Sequence, residues 1–321
     1  VCTAATTPGD VPDAIGYHTA AEIPNYWAYA RHFVLQDHMY EGVNSWSLPA
    51  HLDMVSGWSA KCSDPTDPTS CVTNIGRPGR VVPGSTAPPP YAWTDLTYLL
   101  DRAGVSWRYF VQAGSQPDCT DPAAMICPPQ WQSHQAPDFW NPLPGFTDVQ
   151  HDGQLHDVTS PTNYFRMARR GSLPSVSWIV PNGRNSEHPP ASIANGQAWV
   201  TKVIDAAMRS PDWKSTAIFL SWDDWGGFYD HVPPPGLNPQ GLGVRVPGLV
   251  ISPYAQSGMM DHQTLSTTAT SSSSRTTSSA VGGSTQRPTA GPTVGRSSPR
   301  THPASATCSR TSTSRRSRCR R

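Results

Sequence analysis

Short apolar runs recur along the first two-thirds of the chain, and most follow a stretch whose apolar positions have helical spacing. In EIPNYWAYARHFVLQDHMYEGV (residues 22–43), Pro24 stands where a first helical turn would begin. Aromatic residues recur at helical intervals behind it, and FVLQD reads as the strand that follows. WTDLTYLLDRAGVSWRYFV (93–111) predicts a helix, a C-cap at Gly104 and a strand. NYFRMARRGSLPSVSWIVP (163–181) repeats the order around Gly171. ANGQAWVTKVIDAAMRSPDW (194–213) places Trp199, Val200, Val203, Ile204 and Ala207 on one helical face, ahead of the strand TAIFLSW (216–222). GVRVPGLVISP (243–253) is one more apolar strand. Helices alternating with short buried strands predict an α/β fold with a mostly parallel central sheet flanked by helices. Functional loops then belong at the carboxyl ends of the strands.

Two polar stretches interrupt this pattern. Residues 58–90 are rich in Pro and Gly, and residues 112–160 in Trp, Pro, His and Asp; the second is expected to shape a substrate mouth. Each contains a pair of cysteines around a short polar loop, Cys62 with Cys71 and Cys119 with Cys127. Local disulfides in an exported protein are the expected reading, which places the chain outside the cell or in its envelope. A zinc knuckle would need a two-residue spacing that neither pair has. Cys2 is left without an evident partner.

Composition changes abruptly near residue 266, so the chain divides into a body, 1–265, and a tail, 266–321. The tail holds no acidic or aromatic residue and is built of Ser, Thr, Arg, Pro and Gly. Ten of the 24 basic residues lie in it, which leaves 14 in the body against 23 acids. The nominal charge of +1 therefore hides an acidic body, and a nucleic-acid partner is not expected. Such a tail cannot bury a core, and disorder is expected of it. A reading-frame shift explains it better than an arginine-dependent function. One codon choice for TSSSSRTTS (270–278), moved by a single base, reads YLKFIEDDF, an amphipathic segment.

The strand ends hold the candidate chemistry. Ser47 stands at a turn between FVLQD and the helical HLDMVSG, where a nucleophile gains from the helix dipole; a plain N-cap serine would look the same. Glu187 and His188 follow SVSWIVP. Asp223, Asp224 and, past Gly226 and Gly227, His231 follow TAIFLSW. Paired carboxylates attract a hard divalent cation, and a cation beside a serine hydroxyl suits attack on phosphorus, with histidines to hold phosphate or protonate a leaving group.

SWDDWGGFYDHVPPP (221–235) resembles the D-E-H-G-G-F-Y-D-H-V-P segment of the phosphoesterase family that contains non-specific phospholipases C and a related acid phosphatase, a branch of the alkaline phosphatase-like fold. Residues 23–57, VPNGRNSEHPP with the following helix, and GVRVPGLVISPYAQSG are similar to other segments of that family. The resemblance implies that Ser47 is the nucleophile and that His188 and His231 are catalytic. It also implies that Asp223 and Asp224, with Ser47, hold a divalent metal ion (Ca, Mg, Mn or Zn). Asp224 replaces the commoner Glu. The implied activity is hydrolysis of phosphate esters, most directly the phosphodiesters of phospholipids at a membrane surface. A phosphomonoesterase, or a Trp-rich module that binds carbohydrate or lipid surfaces without catalysis, are the alternatives. The family's E-N-R-S-F-D motif, whose Glu and Asn complete the metal shell, is absent; it is expected upstream of Val1, which would leave this chain weakly active or inactive.

Overall fold

The computed structural model describes residues 15–64, 70–72, 91–119, 128–236 and 241–267. The tail from residue 268 and Cys127, and with them the expectations placed there, lie outside the described residues.

Helix α1 (Pro24–His32) starts at its proline and passes directly into β1 (Val34–Gln36) and β2 (Met39–Tyr40). Helix α2 (Ser47–Ser56) ends at Gly57, whose φ of 69° is the left-handed cap that a residue with a Cβ resists. β3 (Lys61–Cys62) and β4 (Cys71–Val72) form a small antiparallel ribbon. α3 (Leu96–Arg102) is capped by Asp95, which accepts from the backbone N–H groups of Thr97 and Tyr98. β5 (Trp107–Val111), β6 (Gly114–Gln116), β7 (Gln130–Gln132), α4 (Thr147–His151) and β8 (Val158–Thr159) follow. The described chain then runs through α5 (Pro161–Arg170), β9 (Val176–Val180), α6 (Ile193–Met208), β10 (Ile218–Ser221), β11 (Gly248–Ile251), β12 (Met260–Asp261) and β13 (Leu265–Ser266).

The fold is mixed α/β, but the expected mostly parallel sheet is only half realised. Strands β8, β5 and β9 pair in parallel, joined through helical crossovers. The second sheet, β10-β11-β1-β12, is antiparallel at β10–β11 and β11–β1 and parallel only at β1–β12. The reason is the connection. Between β10 and β11 no helix intervenes among the described residues, so the chain returns antiparallel. The apolar runs of β9 and β10 are also less buried than expected, with Phe219 45% exposed.

Two cores hold these layers. One lies between the parallel sheet and α2 and α3, and gathers Leu48, Leu52, Val55, Leu96, Tyr109 and Val111. Phe139, Trp140, Leu143, Phe146 and Val149 join it from the stretch 112–160, so that stretch supplies core as well as any mouth. The other core packs α1 and α6 on the mixed sheet through Tyr26, Ile204, Leu249 and Ile251.

Glu187 ties this second layer together. Tyr26 Oη donates to its Oε1 at 2.6 Å and Trp222 Nε1 to its Oε2 at 3.2 Å, while its own backbone takes a φ of 67°. A Cβ on Gly196, in α6, would overlap the Glu187 side chain. Helix propensity alone favours Ala over Gly by about 1 kcal/mol. Because Glu187 is held by two donors, Gly196→Ala is expected instead to destabilise by ~1–3 kcal/mol, read from chemical denaturation.

Cys62 and Cys71 sit directly opposite each other in the β3–β4 register, a backbone placement compatible with a bridge. Cys119 is disulfide-bonded; its expected partner lies outside the described residues. Non-reducing peptide mapping is expected to recover Cys62–Cys71 and Cys119–Cys127 as separate pairs, and crossed pairs would refute the local assignment.

Candidate active site

Ser47 is the first residue of α2 and only 1% exposed. The N-cap position belongs to Trp46, which makes no side-chain capping bond. The Ser47 hydroxyl instead donates to Asp224 Oδ2 at 3.0 Å. The hydroxyl is thus turned to a carboxylate and not to the backbone, so Ser47 does not cap the helix with its side chain.

Asp223 and Asp224 follow Trp222, just past the carboxyl end of β10. Asp224 also accepts from the Gly226 N–H at 2.8 Å. His51 Nε2 lies 3.3 Å from Asp223 Oδ2, and His51 Nδ1 lies 3.2 Å from Tyr109 Oη. Tyr109 in turn donates to the Trp140 carbonyl at 3.0 Å. His51 is thus held between the strand-end aspartate and the core.

A third carboxyl group joins them. Glu41 follows β2, is 1% exposed, and among the described residues its Oε1 has no hydrogen-bond partner. Burial, then the charges of Asp224 and Asp223, push it up to about 9, against the pull of the Trp225 N–H. Burial and the neighbouring Asp223 push Asp224 up to about 6. Burial would push Asp223 up too, but the His51 hydrogen bond and charge bring it below the ordinary range. Gly243 makes room for Glu41, since a Cβ there would overlap the carboxylate.

His188 approaches from the loop after β9. Its Nε2 is 3.2 Å from Asp118 Oδ1 and its Nδ1 is 2.7 Å from the Pro189 carbonyl. Burial pulls its pKa down, but Asp118, the carbonyl and Asp224 outweigh it and raise it to about 9. Trp140 Nε1 donates to the other Asp118 oxygen at 2.7 Å. The Trp140 ring stacks on His51 with the planes 13° apart and tilts against His188. One indole therefore positions both imidazoles.

The structure brings Ser47, Asp223 and Asp224 together, and Asp224 acts electrostatically on His188. His231 stands apart: its side chain is 80% exposed, with Asp230 Oδ1 at 3.7 Å. Asp230 itself is held by Arg245, which donates to both carboxylate oxygens at 2.7 and 3.0 Å. Sequence reasoning missed Glu41, His51 and Asp118. His51 had a legible signal, since four residues past Ser47 it shares that helical face.

The donors near Ser47 are hard oxygens, and a buried carboxylate oxygen without a partner is what a divalent cation would satisfy. Their chemistry fits such an ion. Their number stops short of a shell, because among the described residues no group of three or more His, Cys, Asp or Glu is arranged to hold a metal.

The chain matches the Phosphoesterase family over residues 3–273, and it belongs to that family. It is 29% identical over 284 residues to phospholipase C A of Mycobacterium tuberculosis, a match that covers 81% of this chain and 51% of that protein. It is 27% identical over 281 residues to the hemolytic phospholipase C of Pseudomonas aeruginosa, covering 77% and 37%. The chain thus spans about half the length of the first relative and 37% of the second. A solved protein of the alkaline phosphatase superfamily from Vibrio parahaemolyticus aligns with a TM-score of 0.44 at 12% identity, over 77% of this chain and 58% of that one.

The raised His188 pKa makes a checkable statement. A histidine whose folded pKa exceeds its unfolded value of about 6.5 stabilises the fold fully below that value, and loses the contribution as pH rises through the folded pKa. The window is therefore pH 6.5 to about 9. In an NMR titration, Asp118→Asn is expected to drop the His188 pKa toward or below the ordinary histidine range. The melting temperature of the variant should then lose the decline that the parent shows across that window.

Proposed function

We propose that this chain carries the catalytic centre of a phosphate-ester hydrolase acting on phosphodiesters, of the phospholipase C kind, on the alkaline phosphatase-like fold. The observation that carries the reading is the 3.0 Å contact from the Ser47 hydroxyl to Asp224, at a helix start and among buried carboxyl groups, in a chain of the Phosphoesterase family. The phospholipase C names of the relatives favour a phospholipid diester over a monoester. The cysteine pairs favour a secreted or envelope location, and among the described residues no helix is long and apolar enough to cross a membrane.

In this reading Asp224, with its pKa near neutrality, takes the Ser47 proton. Ser47 Oγ bonds to phosphorus while the bond from phosphorus to the leaving oxygen breaks, and protonated His188 gives that oxygen its proton. Water then attacks the phosphorus of the seryl phosphodiester, which still carries the substrate's second alcohol. His188 takes a proton from the water, the Oγ–phosphorus bond breaks, and Asp224 returns its proton to Ser47. The positive end of the α2 dipole favours the anionic phosphoryl group. Asp223, Asp224 and Ser47 would hold a divalent ion, with Glu41 beside them. Such an ion, when bound, lowers the hydroxyl pKa and offsets charge on the non-bridging oxygens. His231, by the resemblance, is the second catalytic histidine, and its exposure suits a group that meets substrate at the mouth.

Hydrolysis of a chromogenic phosphodiester and of the matching monoester, with Ca, Mg, Mn or Zn supplied in turn, tests the proposal. Low but metal-dependent diester turnover is expected, with a phosphoryl adduct at Ser47 that retains the substrate's second ester group detected by mass spectrometry. Ser47→Ala is expected to remove this adduct and lower turnover by about 10³-fold or more. Asp223→Asn should weaken metal affinity before anything else. Unchanged turnover in Ser47→Ala would refute the nucleophile, and preference for the monoester would refute the substrate class.

A further inference from the structure

The pleat of β5 separates two surfaces. Trp107, Tyr109 and Val111 point into the core beneath the candidate active site. Arg108 and Phe110 alternate with them and so face the other side of the sheet, where the Phe110 ring meets Tyr164 of α5 at 5.6 Å. On that side α5 presents Asn163, Arg166, Met167 and Arg170, spaced i, i+3, i+4 and i+7 along one face. With Arg108, His156, Thr159 and Ser172 they line an open-sided pocket of about 260 Å³, at which Arg166 and Arg170 are themselves exposed.

We propose that this cavity is a second anion site, which takes a phosphate or phosphomonoester group on Arg166 and Arg170. Three guanidinium groups line it in a body that is otherwise acidic. The acids near them are already engaged. Asp157 is ion-paired with Arg108 and lies 3.2 Å from His156, while Asp212 accepts the Leu173 N–H. Arg166 and Arg170 have no hydrogen-bond or ion-pair partner among the described residues, and one helical turn apart they repel each other. Dipole complementarity at a helix end accounts for basic residues in the last turn, and Arg169 with Arg170 already supplies it. Arg166, a turn earlier, is exposed and has no such role at the helix end. Two planar forks beside the Thr159 hydroxyl, which accepts from Asn163 and keeps its own proton to donate, match the oxygens of a tetrahedral dianion. The cavity volume lies below the ~300–1,000 Å³ of drug-sized pockets, so a small anion or a lipid head group fits and a whole lipid does not. None of this depends on the hydrolytic reading of the Ser47 site.

The same chemistry can come from free phosphate or from an anionic lipid, and the test separates them. Binding of inorganic phosphate to the full chain at low salt is measured calorimetrically for the parent and for Arg166→Gln/Arg170→Gln. In parallel, both proteins are sedimented with phosphatidylcholine vesicles that contain or lack phosphatidic acid. The double variant is expected to bind phosphate about ten- to a hundredfold more weakly, the range for losing charged hydrogen bonds, with its melting temperature and Ser47-dependent hydrolysis unchanged. If the natural source is lipid, the parent and not the variant also sediments with phosphatidic acid vesicles; if it is a soluble phosphate, the vesicles do not distinguish them. Arg166→Lys/Arg170→Lys, which keeps the charge without the forks, should show an intermediate loss and serves if the glutamine variant fails to fold. Equal phosphate affinity and equal vesicle binding in parent and variants would overturn the proposal.

Discussion

Carboxylates repel one another, and burial strengthens the repulsion because less water screens it. Glu41, Asp223 and Asp224 meet under that penalty, and the surrounding structure is arranged to bear it. Glu41 arrives on the residue after β2, the aspartates on the residues after β10, and Ser47 at the first turn of α2. Each carboxyl group is answered locally: His51 for Asp223, the Ser47 hydroxyl and Gly226 N–H for Asp224, and the Trp225 N–H for Glu41. A corner of this kind is unfavourable to folding by itself. The apolar core behind α2 and β5 must outweigh it.

That core also reaches the site as a chain of contacts. Tyr109 is fully buried on β5, yet its hydroxyl touches His51 and the Trp140 carbonyl. Trp140 carries the chain on through Asp118 to His188. Residues of the stretch 112–160 therefore serve packing and site geometry at once. The imidazole orientations are set by rigid aromatic neighbours more than by the loops on which the functional groups ride.

Much of this was legible in the sequence, because local signals and the observed fold agree where elements are regular. Pro24, Gly104 and Gly171 punctuate helices as their chemistry requires, and the apolar runs at 107–111, 176–180 and 218–221 are strands. Ser47, Asp223 and Asp224 were readable because unusual residues cluster at strand ends. Pairing direction was not, since the apolar pattern marks β10 and β11 as strands without fixing which neighbour each pairs with. Glu41 and Asp118 were hidden because neither stands next to another acidic residue in sequence, and only tertiary contact shows what each faces.

The antiparallel return from β10 to β11 has an architectural consequence. The segment from Trp222 to Pro247 leaves one strand and re-enters its immediate neighbour, so both its ends are fixed by the same ladder. The Arg245–Asp230 pair clasps it again partway along. Loop closure grows costly only slowly with length. Residues beyond this clasp can then be inserted, deleted or exchanged without shifting Asp223 and Asp224. A doubly anchored excursion is a surface on which recognition can diversify while Asp223 and Asp224 stay in register.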